Sequence, residues 1–563
     1  MQIPLRPPSQ VMRLARMGCF HQTRLSFMRA LLRDLKRERW KFARESWRVD
    51  ARGEGVALYS ARGPRRTYTL VCFSRDLPAK LRSDRVIANA WDATFALFDG
   101  TPDEADIKRL AANVPLQEAG QCRQSELVMS RANRSVRVFS RVVDALARGA
   151  QPPRELLDAS GYLMRTTAVY ANGKFGLCDR ENFAGRAGHD QMFAAPFRAE
   201  MLAVWLIRWF SIDLAEHLAR AAGGRKAVKL ARPLARQLGI GNATGLGMAP
   251  FLLLHPALLH CWMRARETAL SRVRGISRSG KKTRAHFCRA LARMRAGLSQ
   301  WRTEDRRQRG RLRELKNDLE KIAAQTRGGA LEGEAPWDAL IRWSRRALSM
   351  EGQELLVSLA LEPHGELVDD LAREMSVDES RYWRIRADRR VGELRDAIDA
   401  NYRWALGADY AEPRRCARFW YVSEEKLEPR LGERFDEPGA EKELPLAAAR
   451  DIAALRASLG AFDADATLAE FLRAHPRHRH AVRRAQLAAQ LPYAEIRDNV
   501  IAKELRPVDL LRCKLSFFGA TRFDPKSDRW VRITMYQHAP FPDELSAMDA
   551  DDWAYPPLGE DAE

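Results

Sequence analysis

The sequence lacks any C-x-x-C pair, although it contains eight cysteines in 563 residues. Cysteines scattered singly argue against a zinc ribbon, a redox dithiol and the disulfide framework of a small secreted domain. Reduced thiols in a cytoplasm are the simplest explanation. Internal repeats and the familiar nucleotide-binding, kinase and metalloprotease motifs are also missing. We therefore expect no cofactor, neither a tightly bound metal nor a dinucleotide.

Long uninterrupted hydrophobic runs are missing as well. The two most apolar stretches are 201–210, which contains Arg208, and 246–263, which contains Pro250 and Pro256. Such interruptions favour buried helices over membrane spans. The first 20 residues lack the apolar core of a secretory signal, but their Arg-rich, acid-poor composition also occurs in organelle transit peptides. The expected location is the cytoplasm, without a membrane partner, and import into an organelle stays open.

Acidic residues are nearly absent from one segment. Residues 262–313 contain seventeen Lys or Arg and three acids, a formal charge of +14 out of +22 for the whole chain. The alternative that this segment keeps open is a nucleic-acid-binding or scaffold protein that uses the Arg-rich helix 264–313. A positive stripe alone is an unspecific signal, so this alternative ranks second. By contrast, residues 541–563 carry eight acids and no Lys or Arg, which is typical of a solvated tail.

The basic segment also has a regular period. Apolar residues recur at alternating steps of four and three from Phe287 to Ile322, interrupted by Asp305 and Gln308. This pattern predicts a long, Arg-rich, coiled-coil-like helix or a long helical hairpin, in which the polar pair could mark a bend. The helix is expected to pair with another helix, either in the same chain or across a homo-oligomer.

The remaining patterns predict a mainly α (α+β) fold. We expect a multi-helical core with small antiparallel β elements near both ends of the chain. Helical periodicity covers 83–107 and 125–147. The expected β elements are runs at 47–49, 56–59 and 68–73 and a hairpin within 516–537.

Shifts in composition divide the chain into seven segments. They are an N-terminal arm with a helix and small sheet (1–82), a helical core with Gly-rich loops (83–262), the basic coiled-coil-like segment (263–330), a helical region (331–422), a linker (423–445), a C-terminal helical and hairpin region (446–540) and the acidic tail (541–563).

The strongest candidate for a binding site is the glycine-dense stretch that begins LGIGNATGLG at Leu238. Glycine lets bare backbone N–H groups approach a ligand. The spacing does not fit the G-x-G-x-x-G fingerprint and residues 229–238 look helical, so a Rossmann site is not expected. The structural alternative is a tightly packed turn between helices. The predicted substrate-binding residues here are Gly241, Asn242, Thr244, Gly245 and Gly247.

A second polar loop lies at 165–180, with the sequence RTTAVYANGKFGLCDR. Arg165, Asn172 and Lys174 suit binding of an anionic group, and Tyr170 or Asp179 could transfer a proton. The alternative is a surface hairpin whose charges are solvated.

Two histidines complete the candidate site. His255 and His260 are five residues apart and would not share a helix face, so a helical metal pair is not expected. One of them could act as a catalytic acid or base, whereas the alternative is a buried histidine that only satisfies backbone groups. The leading hypothesis is a cytoplasmic enzyme that acts on a small carboxylate- or phosphate-bearing substrate by acid/base chemistry.

Overall fold

The structure is a computed structural model of the chain. It describes residues 3–18, 22–78, 81, 90–112, 121, 123–166, 193, 195, 197–242, 255–301, 306–375, 383–411, 444–502, 509, 512–520, 522–525, 531–548 and 551–555. Within these residues, the helices are all too short or too polar to traverse a lipid bilayer.

One large mixed sheet forms the centre of the fold. Its strands follow one another in the order β1-β2-β3-β4-β5-β6-β7-β9-β8, and the only parallel pair among these nine is β6 with β7. The strands are β1 (Lys41–Val49), β2 (Gly55–Arg62), β3 (Thr67–Ser74), β4 (Ala93–Asp99), β5 (Glu126–Arg134), β6 (Tyr162–Thr166), β7 (Gly239–Asn242), β8 (Arg522–Pro525) and β9 (Val531–Met535).

The predicted mainly α fold with small β elements is therefore wrong. β4 and β5 lie inside 83–107 and 125–147, the two stretches whose periodicity predicts helices. Side chains on both faces of these strands are buried along almost their whole length, so they lack the polar alternation of a half-exposed strand. A continuously apolar strand cannot be told from a buried helix by periodicity alone. The glycine stretch also begins as a strand, β7, and not as a turn between helices.

The helices surround the sheet and extend beyond it. They are α1 (Pro8–Val11), α2 (Leu14–Met17), α3 (Phe27–Arg37), α4 (Glu104–Leu110), α5 (Phe139–Ala147), α6 (Arg154–Asp158), α7 (Arg198–Gly223), α8 (Arg232–Arg236), α9 (Pro256–Arg274), α10 (Lys281–Gln300), α11 (Arg306–Arg327), α12 (Pro336–Ala347), α13 (Met350–Leu361), α14 (Gly365–Val368), α15 (Val391–Asn401), α16 (Arg403–Leu406), α17 (Leu444–Gly460), α18 (Leu468–Ala474) and α19 (Arg479–Gln490).

Two helices cover opposite faces of the sheet. The long helix α7 packs on one face, where Phe210 lies 5.5 Å from Phe95 of β4 between ring centroids. On the other face, Ile107 and Leu110 of α4 cover a smaller apolar cluster that includes Met129 of β5. Both faces of these central strands are therefore buried, which explains the nearly unbroken apolar sequence of β4.

Of the two structures predicted for the basic segment, the single coiled-coil-like helix is also wrong. The segment forms two helices, α10 and α11, with residues 302–305 between them outside the described part of the chain. Arg295 of α10 and Glu320 of α11 form a 2.6 Å ion pair. The apolar seam from Phe287 to Ile322 is buried within this single chain, because both helices also pack against α13. The apolar period thus reflects an ordinary core-facing helix surface.

Candidate functional site

The parallel strands β6 and β7 bring the starts of both predicted loops together. Arg165 lies opposite Gly241, and Thr166 lies opposite Asn242. Since parallel strands have their carboxyl ends on the same side, the chain leaves β6 and β7 at one edge of the sheet. In open α/β sheets, the carboxyl ends of neighbouring parallel strands are the usual place for a ligand.

Most of the predicted site residues lie outside the described part of the chain, in 167–192 and 243–254. Arg165 and Gly241 are described, as is the backbone of Asn242, and these three lie together at the ends of β6 and β7. The proposed roles of the others stay predictions. Outside the described residues are Tyr170, Asn172, Lys174, Asp179, Thr244, Gly245 and Gly247.

One face of the sheet carries two arginines near this edge. Arg165 lies opposite Asn133 of β5, so their side chains share a face, and Arg131 is two residues earlier on the same strand. The Arg131 guanidinium is buried and lies over the Trp91 ring, 4.7 Å from its centroid. The Thr166 hydroxyl donates a 3.2 Å hydrogen bond to the Arg131 carbonyl, which links β6 to β5. Two arginines therefore lie on this face close to the carboxyl end of β6.

Tyr162 adds a buried hydroxyl to the same face. A Cβ atom on Gly241 would lie 2.8 Å from the Tyr162 ring, so the ring occupies the space that any larger residue at 241 would need. Arg165 pairs with Gly241 across the two strands, so the Arg165 side chain lies on the same face of the sheet as the Tyr162 ring. Tyr162 is 1% exposed, and its hydroxyl has no hydrogen-bond partner among the residues that the structure describes. Such a group costs free energy unless water or a ligand satisfies it.

Sequence reasoning missed both Tyr162 and Arg131. These two residues can be placed near each other only if β5 and β6 are recognised as neighbouring strands. The periodicity of 125–147 instead predicts a helix where β5 lies. The short β-rich run YLM at 162–164 is the one local signal that could have pointed to β6.

The two histidines lie at the start of α9. His260 is buried, and its Nδ1 accepts a 3.1 Å hydrogen bond from the Tyr493 N–H. Burial, helped by the nearby charge of Arg264, lowers the pKa of His260 to about 4, so the ring is neutral at pH 7. His255 immediately precedes α9, and its carbonyl accepts a hydrogen bond from the Leu259 N–H. His260 thus has a clear structural role, while a catalytic role for either histidine stays a prediction.

The basic segment contains two classes of side chain. Seven of its seventeen Lys and Arg form ion pairs with acids, such as Arg274 with Asp338 and Arg311 with Asp509. Within the described residues, eight others are exposed and form no ion pair. These eight are Arg264, Arg278, Lys281, Lys282, Arg289, Arg306, Arg309 and Arg313. The last three recur at steps of three and four residues, which puts them on one side of α11.

Comparison of the chain with protein-family models, curated proteins and solved structures finds no match. Among the residues that the structure describes, no three His, Cys, Asp or Glu side chains are grouped to hold a metal ion. The functional argument therefore rests on the geometry of this chain alone.

Proposed function

We propose that this protein is an enzyme that binds a small carboxylate- or phosphate-bearing substrate at the carboxyl ends of β6 and β7. The parallel pairing of these strands supports the proposal most strongly, because both glycine-rich segments start at that edge of the sheet. Arg165 and Arg131 supply positive charge on one face near the edge. The proposed chemistry is acid/base catalysis without a tightly bound metal or dinucleotide.

Each described group suits a part of this task. A guanidinium binds carboxylate or phosphate oxygens through two parallel hydrogen bonds and keeps its charge throughout the physiological pH range. The Tyr162 hydroxyl is buried and has no partner within the described part of the chain, so it can donate a hydrogen bond to a substrate oxygen without breaking a described contact. The absence of a side chain at Gly241 leaves room for the Tyr162 ring, which carries this hydroxyl.

The proposal is tested by thermal stability with and without a panel of small carboxylates and phosphates. A ligand at 100 times its Kd adds about 2.7 kcal/mol to the stability of the native state. We expect at least one anion to stabilise the wild type, Arg165→Gln to lose that gain, and Tyr162→Phe to weaken it. Catalysis is then tested by incubating the protein with the same anion and measuring its consumption by nuclear magnetic resonance.

Arg148→Gln is the matched control, because Arg148 is exposed and forms no ion pair within the described residues. It should retain the full stabilisation by the anion. The proposal is wrong if no anion stabilises the wild type, or if Arg165→Gln responds as fully as Arg148→Gln.

A second candidate function is nucleic-acid binding, favoured by the free arginines on α11. Arg306, Arg309 and Arg313 lie on one side of the helix without ion pairs among the described residues. A site with six to ten phosphate contacts would lose about 10³- to 10⁵-fold in affinity between 50 and 200 mM salt. Replacing these three arginines with Gln should then abolish binding of a DNA or RNA duplex.

The matched control for that experiment is the triple variant Arg141→Gln, Arg148→Gln and Arg225→Gln. It removes the same net charge from exposed positions elsewhere on the surface. Equal losses in the two triple variants would show that only overall charge matters, which contradicts a binding site on α11.

A further inference from the structure

A groove whose lining contains no residue of β6 or β7 lies between three parts of the chain. Its walls are α3, the segment from Glu362 to Arg373 and a C-terminal segment described at residues 545–548 and 551–553. The cavity volume is about 630 Å³. This is within the roughly 300–1,000 Å³ of typical small-molecule sites.

A buried ion network fixes the walls of this groove. Arg29 is fully buried and binds both oxygens of Glu362 at 2.6 and 2.7 Å, and its Nε lies 2.8 Å from Asp551. Arg33 contacts Asp551 from the same helix at 2.5 Å. Arg24 holds both oxygens of Asp369 at 2.7 Å. The network therefore connects α3 to both other walls and occupies three of the carboxylates that line the groove.

Most of the other charges in the lining are also paired. Asp370 binds Arg272 at 2.8 Å, and Arg37 binds Asp34 of its own helix at 2.5 Å. Among the described residues, two cations of the lining, Lys36 and Arg373, form no ion pair. One acid, Glu366, is likewise without an ion pair in the described part of the chain. A ligand therefore meets a net excess of one positive charge.

The groove also has an apolar side. Leu32 of α3 lies in the lining together with Leu545, Met548 and Trp553 of the C-terminal segment. All four contact the main core and still border the cavity. An aromatic or aliphatic body placed here would be removed from water, which stabilises binding in proportion to the apolar area buried.

We propose that this groove is a second ligand site, for a small amphiphilic anion. Its single anionic group lies between Lys36 and Arg373, and its apolar body packs on Met548 and Trp553. The paired carboxylates present little free negative charge, because their oxygens already accept hydrogen bonds from Arg24, Arg29 and Arg33. The site is separate from the one proposed at β6 and β7, and it uses none of the same residues.

The probe is 1-anilinonaphthalene-8-sulfonate, compared with its neutral counterpart N-phenyl-1-naphthylamine, which lacks the sulfonate. Binding is followed by probe fluorescence and calorimetry. We expect the double variant Lys36→Gln and Arg373→Gln to bind the sulfonate about tenfold more weakly, since a hydrogen bond to a charged group is lost. The neutral probe should bind the wild type more weakly than the sulfonate does, and the double variant should not change its affinity.

The control double variant is Arg278→Gln and Lys281→Gln, two exposed cations outside the groove. It should bind the sulfonate as the wild type does. Met548→Glu should weaken both probes, because it puts a carboxylate on the apolar side. Lys36 and Arg373 form no ion pair within the described residues, so their replacement should not destabilise the protein. An unchanged midpoint of urea unfolding in the double variant verifies that the fold is intact.

Three results would overturn the proposal. The first is equal affinity for the sulfonate in the groove variant and the control variant. The second is binding of the neutral probe as tightly as the anion. The third is loss of sulfonate binding in Arg165→Gln, which would assign the probe to the edge of the sheet.

Discussion

A buried group of three arginines and two glutamates connects the N-terminus to the helical core. Arg6 contacts Glu267 at 2.7 Å and Glu354 at 2.8 Å. Arg16 approaches Glu354 at 3.0 Å, and Arg266 approaches Glu267 at 3.0 Å. The side chain of Glu354 is only 2% exposed. Glu354→Gln keeps the shape of this side chain and removes its charge, so it isolates the electrostatic contribution.

The expected loss follows from the pKa of Glu354. Burial alone would raise this pKa, but the guanidinium groups of Arg6 and Arg266 outweigh burial and lower it from 4.5 to about 2. At 1.36 kcal/mol for each pH unit, the folded state gains about 3 kcal/mol from the ionised form at pH 7. Removal of one partner from a buried ion pair typically costs about 3–5 kcal/mol, so the two arguments agree.

The assay is urea unfolding followed by circular dichroism, repeated from pH 7 down to about pH 3. A carboxyl group with a lowered folded-state pKa contributes stability above its ordinary pKa and loses it as the pH falls. The wild type should therefore exceed Glu354→Gln by about 3 kcal/mol at pH 7, by the same linkage argument. This difference should shrink steadily as the pH falls from 4.5 towards 2.

Glu366→Gln is the matched control, because Glu366 is exposed and has no ion pair within the described residues. Its unfolding free energy should stay within about 0.5 kcal/mol of the wild type. The reasoning is refuted if Glu354→Gln is as stable as Glu366→Gln at pH 7. A stability difference that does not change with pH would also refute it, because the loss would then come from packing and not from charge.

Further substitutions test individual contacts. Gly241→Ala should cost roughly 1–3 kcal/mol in urea unfolding because its methyl group meets the Tyr162 ring, whereas Gly310→Ala, in open space on α11, should gain about 0.5–1 kcal/mol. Leu298→Asp should cost several kcal/mol through a buried charge, and light scattering should show an unchanged mass because the seam is internal. His260→Leu should cost about 1–3 kcal/mol by leaving the Tyr493 N–H unsatisfied. The lowered pKa of His260 adds stability that is lost as the pH falls from 6.5 towards 4; calorimetry at both pH values should show this loss in the wild type and less of it in the variant.

The elements that could be predicted are those with a period visible in the sequence. The helix expected within residues 1–82 corresponds to α3, and the β-rich runs at 47–49, 56–59 and 68–73 correspond to parts of β1, β2 and β3. In contrast, β4 reads ATFALFD and is buried on both faces, so its sequence carries no period of two. Without β4 and β5, a nine-stranded sheet cannot be deduced. Burial in the tertiary structure, and not local propensity, determines that these segments form strands.

The candidate site was partly accessible to the same reasoning. Glycine spacing and polar neighbours point to Gly241 and Arg165, which lie opposite one another on β7 and β6. Their pairing depends on the crossover through α7, which sequence periodicity does not specify. Tyr162 and Arg131 could not be found, because their approach to the same edge depends on the register of three strands.

The arginine content illustrates why net charge alone is a poor guide to function. Arg6 binds Glu354, 348 residues away, and Arg29 binds Asp551, 522 residues away. Ion pairs of this kind leave the formal net charge of +22 unchanged. The arginines in them nevertheless connect distant parts of the chain and do not present free charge to solvent. A surface that recruits anions must therefore be sought among the cations that remain unpaired, such as Lys36 and Arg373 in the groove or Arg309 on α11. Because the two locations differ in shape, the first being a cavity and the second an open helix face, a small amphiphilic anion and a nucleic acid should discriminate between them.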